Sequence, residues 1–223
     1  MHMPIISRAA QMAKSALRKA QNQLGRVRKQ SLLRTEVERK LACGESIRLV
    51  IGAGPVDFSG WLMTNLPVLD ALSQKDWAKI FPSGSLDRVL AEHVIEHWYE
   101  QELRLFLGLV RPFLSPLGRL RLAVPDGFHP SPSYIDYVKP GGYGCGSDDH
   151  KVLYNCHTIT RILEEEGYDY TLLEYFDEQG QFHISAWQVS DGFVERSAHH
   201  DSRNRDHPLS YTSLIVDTWP RKP

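Results

Sequence analysis

The sequence predicts an α/β fold: a doubly wound, mostly parallel sheet with an antiparallel C-terminal hairpin, preceded by an N-terminal helical extension. Three observations lead there. Short apolar strands alternate with helical stretches through the middle of the chain, the pattern of a parallel sheet. The last two strand-like segments, Leu172–Phe176 and Tyr211–Val216, have no helical pattern between them, so they are expected to pair antiparallel at one edge. Before the first strand, apolar residues recur at helical spacing among basic ones.

The elements follow in order. Ile6, Ala10, Ala13, Leu17, Ala20, Leu24 and Val27 are spaced alternately four and three apart, with Arg8, Lys14, Arg18 and Lys19 off that stripe. The stripe is narrow and alanine-rich, so it needs a surface to pack on: its own body, a second copy in a homodimer, a membrane surface or nucleic acid. Gly25 and the mixed segment up to Lys40 predict a break, which divides the chain into an extension over 1–44 and a main domain over 45–223. That domain opens with the strand Arg48–Ile51 and the turn Gly52-Ala53-Gly54. Extended stretches follow at Trp61–Thr64, Pro67–Leu69 and Leu86–Ala91. A helix is expected over Val94–Phe113, a turn over Leu114–Gly118 and a strand over Arg119–Val124, closed by Pro125-Asp126-Gly127. Residues 128–150, rich in Gly, Pro, Ser and Tyr, read as a long loop that closes over a ligand. A helix over Thr158–Glu166 stops at Gly167. Only about ten residues join the first two strands, whereas a parallel crossover normally takes a dozen or more, so either the first helix is truncated or the second strand starts later.

Charge is unevenly spread over the 223 residues. Residues 1–40 hold ten Lys or Arg against two acids, Glu36 and Glu38, while the remainder holds sixteen basic and twenty-five acidic residues. The chain is a basic arm on an acidic body. Cys43, Cys145 and Cys156 are too few and too scattered for a disulfide framework or a thiolate zinc site, which fits a reducing, cytoplasmic setting. No apolar run approaches the roughly 20 residues of a membrane span.

A strand running into Gly-x-Gly brings backbone N–H groups against a nucleotide or amino-acid ligand, as in Rossmann-like folds, because glycine lets the chain turn and the ligand approach. The dinucleotide fingerprint also needs a third glycine, and Val56 occupies that position, so an NAD site is not supported.

Three stretches, IGAGPVDFSGW (Ile51–Trp61), LDRVLAEHVIEHW (Leu86–Trp98) and VRPFLSPLGRLRLAVPDG (Val110–Gly127), resemble in order and spacing the class I S-adenosylmethionine (SAM)-dependent methyltransferases related to the type 11 family. Asp149–Tyr154, Gly180–His183 and Arg196–Asp217 look like the C-terminal part of one subgroup, and the resemblance covers roughly residues 45–217. It implies a Rossmann-like domain with SAM as cofactor, in which Gly52, Ala53 and Gly54 form the loop under SAM. Ala91, Glu92 and His93 would line its methionine side. Asn65 stands where such enzymes usually place a ribose-binding carboxylate, and Asp70 is the candidate for the adenine side.

His93, Glu96 and His97 sit at i, i+3 and i+4, one face of a helix if the segment is helical. Imidazole and carboxylate at that spacing suit zinc, iron or manganese. The segment also matches the H-x-x-E-H pattern of one group of zinc proteases, but it falls at a strand-to-helix junction and no second ligand segment is obvious. The segment is similar to the E-x-x-E-H of small-RNA 2′-O-methyltransferases and some ubiquinone-pathway O-methyltransferases. The RNA enzymes add a later D-H-K-like histidine, here Asp149-His150-Lys151, with His93 standing in place of the first Glu. That similarity implies a divalent-metal set of His93, Glu96, His97 and His150. The alternative, which the sequence favours, is that Glu96 and His97 brace the start of the helix.

For methyl transfer an in-line displacement needs a positioned, desolvated nucleophile and a base. His93 and His150 are the candidate bases, with Tyr154 or His183 positioning; Tyr134, Tyr137 and Tyr143 of the long loop are candidates to stack on the acceptor. Three function classes stand open: an O-methyltransferase of a small molecule or glycan, an RNA or other nucleic-acid methyltransferase using residues 1–40, and a catalytically inactive SAM-fold scaffold.

Overall fold

The structure, a computed structural model, describes residues 8–222; Ile6 of the expected helical stripe lies outside them. A single long helix, α1 (Arg8–Ala42), is followed by β1 (Arg48–Ile51), β2 (Leu62–Thr64), α2 (Gln74–Ile80) and β3 (Leu86–Glu92). Then come α3 (Glu100–Val110), β4 (Leu114–Pro125), α4 (Pro132–Val138), α5 (Cys156–Glu165), β5 (Tyr168–Phe176), β6 (Phe182–Ile184) and β7 (Ser213–Pro220). The strands form one seven-stranded sheet in the order β2-β1-β3-β4-β7-β5-β6. β2, β1, β3 and β4 run parallel; β7 enters antiparallel between β4 and β5, and β5 also pairs antiparallel with the short edge strand β6. This is the Rossmann-like, mostly parallel sheet with antiparallel C-terminal strands that the sequence predicts. No helix among the described residues is long and apolar enough to cross a membrane.

The side-chain alternation of the strands sorts the interior into two faces. Leu49, Ile51, Val89, Ala91, Leu120, Leu122, Leu214 and Val216 look toward α2, α3 and α5, which bring Trp77, Phe106, Leu107, Ile159 and Leu163 into one cluster. Val50, Leu90, Ala123, Leu173 and Ile215 look the other way, where irregular chain covers them through Val56, Phe58, Trp61, Trp187 and Val194. The strand order reverses after β2, so the β1–β2 crossover falls on this second face. That crossover, residues 52–61, has no helix at all. The shortfall in connection length is met by omitting the helix, and β2 begins one residue later than Trp61.

On the second face Arg121 is fully enclosed. It pairs with Asp217 through two bonds of 2.7 and 2.8 Å, donates to the carbonyls of Gln188 and Gly192, and lies 4.8 Å from the centre of the Trp187 ring. Charge on an inward-facing strand position is thus fully paired, and it ties the 187–192 segment to the sheet.

Several expectations need correction. Gly25 does not break α1: glycine in a helix interior costs only about 1 kcal/mol, and good helix formers flank it. The helix is not a separate arm throughout, because Gln30 and Val37 are buried and Leu33 packs on the core, while Leu17 and Leu24 are exposed. Arg26 and Gln30 both donate to Asp76 of α2, fastening the two helices together. The sequence reading missed α2, although Ser73 accepts a bond from the Asp76 N–H in an N-cap. Residues 67–69 form a turn rather than a third strand. The expected helix Val94–Phe113 is divided: a 3-10 turn over Ile95–His97 ends at Trp98, and α3 starts afresh where the Tyr99 N–H bonds the Glu102 carboxylate. The long loop 128–150 contains α4, started by Ser131 as N-cap. Leu114–Gly118 joins the following strand in β4 instead of forming a separate turn.

Candidate functional site

The carboxyl ends of β1, β3 and β4 meet at the point where strand order reverses, the usual place for a ligand in an open α/β sheet. Two cavities lie there. A smaller one, about 220 Å³, is bounded by the glycine turn, Leu90, Glu92, Phe58 and the Glu195–Arg196 segment. A larger one, about 450 Å³, is lined by His93, Glu96, His97, Tyr137, His150, Arg196, Asp201, Arg203 and Tyr211. His93, Glu195 and Arg196 border both.

The glycine turn is built by backbone demand. Gly52 and Gly54 hold φ of 65° and 58°, values that side chains disfavour. A Cβ on Gly52 would stand 2.6 Å from Val94 Cγ2, whereas beyond Gly54 there is open space. Asn65 grips the turn from behind: its Oδ1 accepts from the Gly54 N–H at 2.8 Å and its Nδ2 donates to the Gly54 carbonyl at 3.0 Å. Asn65 thus braces the turn with one bond at each end of its amide. Asp70 is removed from the site. It accepts from the Leu72 N–H in a local turn and lines neither cavity. Ala91 faces the helical core at zero exposure, because β3 alternates and Leu90 and Glu92 take the other side.

Glu92 ends β3 with both oxygens engaged. One accepts from the Glu195 N–H, and the other accepts from the Arg196 N–H and meets the Arg196 guanidinium at 3.4 Å. This contact draws the C-terminal segment over the glycine turn. The turn offers room without side chains, and Glu92 keeps further lone pairs for a polar ligand, so the residues fit the amino-acid end of a donor such as SAM.

His93 is the hinge between the two. It holds a left-handed φ of 53°, rare for a residue with a side chain, and its N–H bonds the Ala123 carbonyl of β4 at 2.8 Å. Its Nε2 lies 3.0 Å from Ser213 Oγ at the start of β7, and its Nδ1 lies 3.2 Å from Glu96 Oε1. The three residues of the H-x-x-E-H pattern do not share the face of an α-helix. His93 ends the strand junction, and Glu96 and His97 ride a 3-10 turn. They converge nonetheless.

Glu96 is 1% exposed, and among the described residues neither of its carboxylate oxygens makes a hydrogen bond; the His93 imidazole is its near neighbour. His150 is brought beside it by the backbone, since the N–H groups of Lys151 and Val152 bond the Glu96 carbonyl. His150 Nδ1 donates to the Val138 carbonyl at 2.7 Å, which fixes the tautomer and leaves the lone pair on Nε2, 4.0 Å from Glu96 Oε1. His97 and His150 stand edge to face at 4.8 Å, with Asp149 at 3.4 Å from His97 Nδ1.

Tyr154 does not belong to this group. It is 1% exposed within the helical core and lines neither cavity; burial raises its phenol well above the ordinary value. His183 is likewise distant, paired with Asp177 at 2.7 Å and stacked on Tyr175 near the sheet edge. Of the loop tyrosines, Tyr137 lines the larger cavity, Tyr134 is buried and donates to the Thr212 carbonyl, and Tyr143 is 70% exposed.

Sequence reasoning missed the far wall. Arg203 pairs with Asp201 and lies 3.3 Å over the Tyr211 ring, and Asn204 fixes the loop by bonding both backbone groups of Tyr211. Burial raises the Tyr211 phenol to about 12. The only signal was the dense run of polar residues in Arg196–Asn204, whose partners lie far off in sequence.

No family model matches the chain, and no curated protein matches it. Among solved structures, it is similar to a SAM-dependent methyltransferase from Archaeoglobus fulgidus, at 17% identity and TM-score 0.43, over 85% of this chain and 92% of that one. It is similar to magnesium protoporphyrin IX methyltransferase from Synechocystis with bound S-adenosylhomocysteine (SAH), at 12% identity and TM-score 0.41, over 86% and 83%. A third is Haemonchus contortus phosphoethanolamine N-methyltransferase 2 in complex with SAM, at 14% identity and TM-score 0.45, where the match spans 79% of this chain but about half, 49%, of that one.

Proposed function

We propose that this chain transfers a methyl group from SAM to a hydroxyl of a small molecule or glycan. The observation that carries the reading is the pair of cavities meeting at His93: a glycine-turn cavity suited to the donor's amino-acid end, and a larger acceptor cavity with imidazoles on its floor. The motif resemblance over residues 45–217 supports the donor assignment. Gly52, Ala53, Gly54, Glu92 and His93 would hold SAM, which supplies an electrophilic methyl when bound.

The acceptor oxygen must lie in line with that methyl, stripped of water, and lose its proton. The cavity sets the rings of Tyr137, Tyr211 and the histidines beside the charged groups of Glu195, Arg196, Asp201 and Arg203, so both rings and polar groups meet the acceptor. His93, which borders both cavities, would take the proton, and the acidic body suits an uncharged acceptor. The test is calorimetric titration of the full chain with SAH, with NAD as control and with or without magnesium or manganese. Saturable binding of SAH but not NAD supports the reading; no binding of SAH under any of these conditions overturns it and leaves a scaffold role.

One observation favours a second reading. The outer part of α1 exposes Lys14, Arg18, Lys19, Arg28 and Lys29, a basic surface suited to phosphates. RNA binding that weakens steeply with salt, and is lost when residues 1–25 are removed, would move the acceptor class to nucleic acid.

A further inference from the structure

We infer that Glu96, His97 and His150 form a binding site for one divalent transition-metal ion on the floor of the larger cavity. Their ligand atoms all lie within 4.8 Å of one another. The argument begins with Glu96. A carboxylate that is 1% exposed and makes no hydrogen bond among the described residues, with only the His93 imidazole close by at 3.2 Å from Oε1, is costly, because its desolvation is offset by that one contact at most. Packing alone does not call for such a group, since a leucine of similar size would fill the space with no charge to desolvate. A cation offsets that cost directly.

The neighbours are prepared for the same occupant. The His150 ring is locked by Val138 so that Nε2 presents its lone pair toward Glu96. A histidine whose other nitrogen donates to a carbonyl is the arrangement that orients metal-binding imidazoles. Asp149 stands beside Nδ1 of His97 and does the same for that ring. Metal–nitrogen and metal–oxygen bonds of about 2.0–2.2 Å bring ligand atoms to roughly 3–3.5 Å from one another, so the widest pair must close by about 1.5 Å through side-chain rotation. Half-exposed His97 has the freedom to supply it.

This set differs from the four residues that the sequence suggests. His93 brings Nδ1 to 3.2 Å from Glu96 Oε1, but it stands outside the group whose ligand atoms all lie within 4.8 Å of one another, and its position is fixed by Ser213 at Nε2 and by β4 at the backbone. It borders the site and is not a ligand. Three protein ligands of mixed nitrogen and oxygen suit manganese, iron or zinc and leave coordination positions open toward the cavity. The inference does not require a methyl donor, so its test stands whether or not SAH binds.

The experiment uses the full chain, stripped with EDTA and dialysed, titrated separately with Mn²⁺ and Co²⁺. Mn²⁺ is followed by loss of the free-ion magnetic resonance signal and Co²⁺ by its visible absorption. One equivalent of tight uptake is expected. Glu96→Gln and His97→Gln each weaken it at least ten-fold, whereas His183→Gln, distant from the cavity, leaves it unchanged. Circular dichroism reports folding; should Glu96→Gln not fold, the half-exposed His97→Gln decides. Absence of saturable uptake of both ions, or equal affinity in the wild type and the folded site variants, overturns the inference.

Discussion

Replacing Gly52 by alanine tests the glycine turn where two costs can be separated. The residue holds φ of 65°, and an L-residue in the left-handed region costs about 1–2 kcal/mol. The new Cβ would lie 2.6 Å from Val94 Cγ2, so one of them must move by about 1 Å to reach ordinary carbon contact. Val94 is β-branched and precedes the 3-10 turn that carries Glu96, so its side chain yields only by leaving its rotamer or shifting the backbone. Overpacking of this kind costs about 1–3 kcal/mol, for a total of about 2–5 kcal/mol. Gly54→Ala is the internal control. Its φ is 58°, but no atom lies within 4 Å of the added carbon, so it should cost only about 1–2 kcal/mol. Urea unfolding of both variants, read from midpoints at constant slope, measures the difference. Gly52→Ala should be the less stable by about 1–3 kcal/mol, and adding Val94→Ala should remove most of the gap. Equal midpoints for the two single variants would refute the steric argument.

Two further outcomes follow from buried charge. Arg121→Ala should destabilise by about 3–5 kcal/mol, because it leaves Asp217 without its partner inside the sheet, and hydrogen exchange should quicken across residues 187–192; urea unfolding and amide exchange check both. Asp126 is fully buried, and desolvation raises its carboxyl from 3.8 to about 6 against the two N–H bonds from Phe176 and Phe128. A raised folded-state value means that the contribution of Asp126 to stability is greatest below pH ~4 and is lost as pH rises through 6, a change of about 3 kcal/mol at 1.36 kcal/mol per unit. Asp126→Asn should flatten unfolding midpoints between pH 4 and 7, and an unchanged slope would contradict the assignment.

The local order of the chain was legible because it rests on local physics. Strand alternation placed β1, β3 and the second half of β4, and Gly52 and Gly54 announced a turn because only glycine adopts that backbone freely. The short first crossover was visible as a conflict in length, and omission of its helix resolved it. His93, Glu96 and His97 were picked out by residue type and spacing and His150 by the resemblance of its D-H-K segment, and all four do line one cavity. What the tertiary structure alone decided was direction and partnership. Ala91 faces the core because the pleat of β3 turns it there, and Tyr154 because α5 and the sheet enclose it. Asn65 braces Gly54 because parallel pairing of β1 and β2 sets their ends side by side. The far wall, Arg196 to Tyr211, reaches the site because β7 inserts between β4 and β5 and carries the preceding loop to the carboxyl ends of the parallel strands. Such contacts join residues about a hundred positions apart, as Glu92 joins Arg196, and no local spacing encodes them. Burial is likewise a property of the whole fold. Sequence named Glu96 as a carboxylate, and only packing left it enclosed without a hydrogen bond among the described residues.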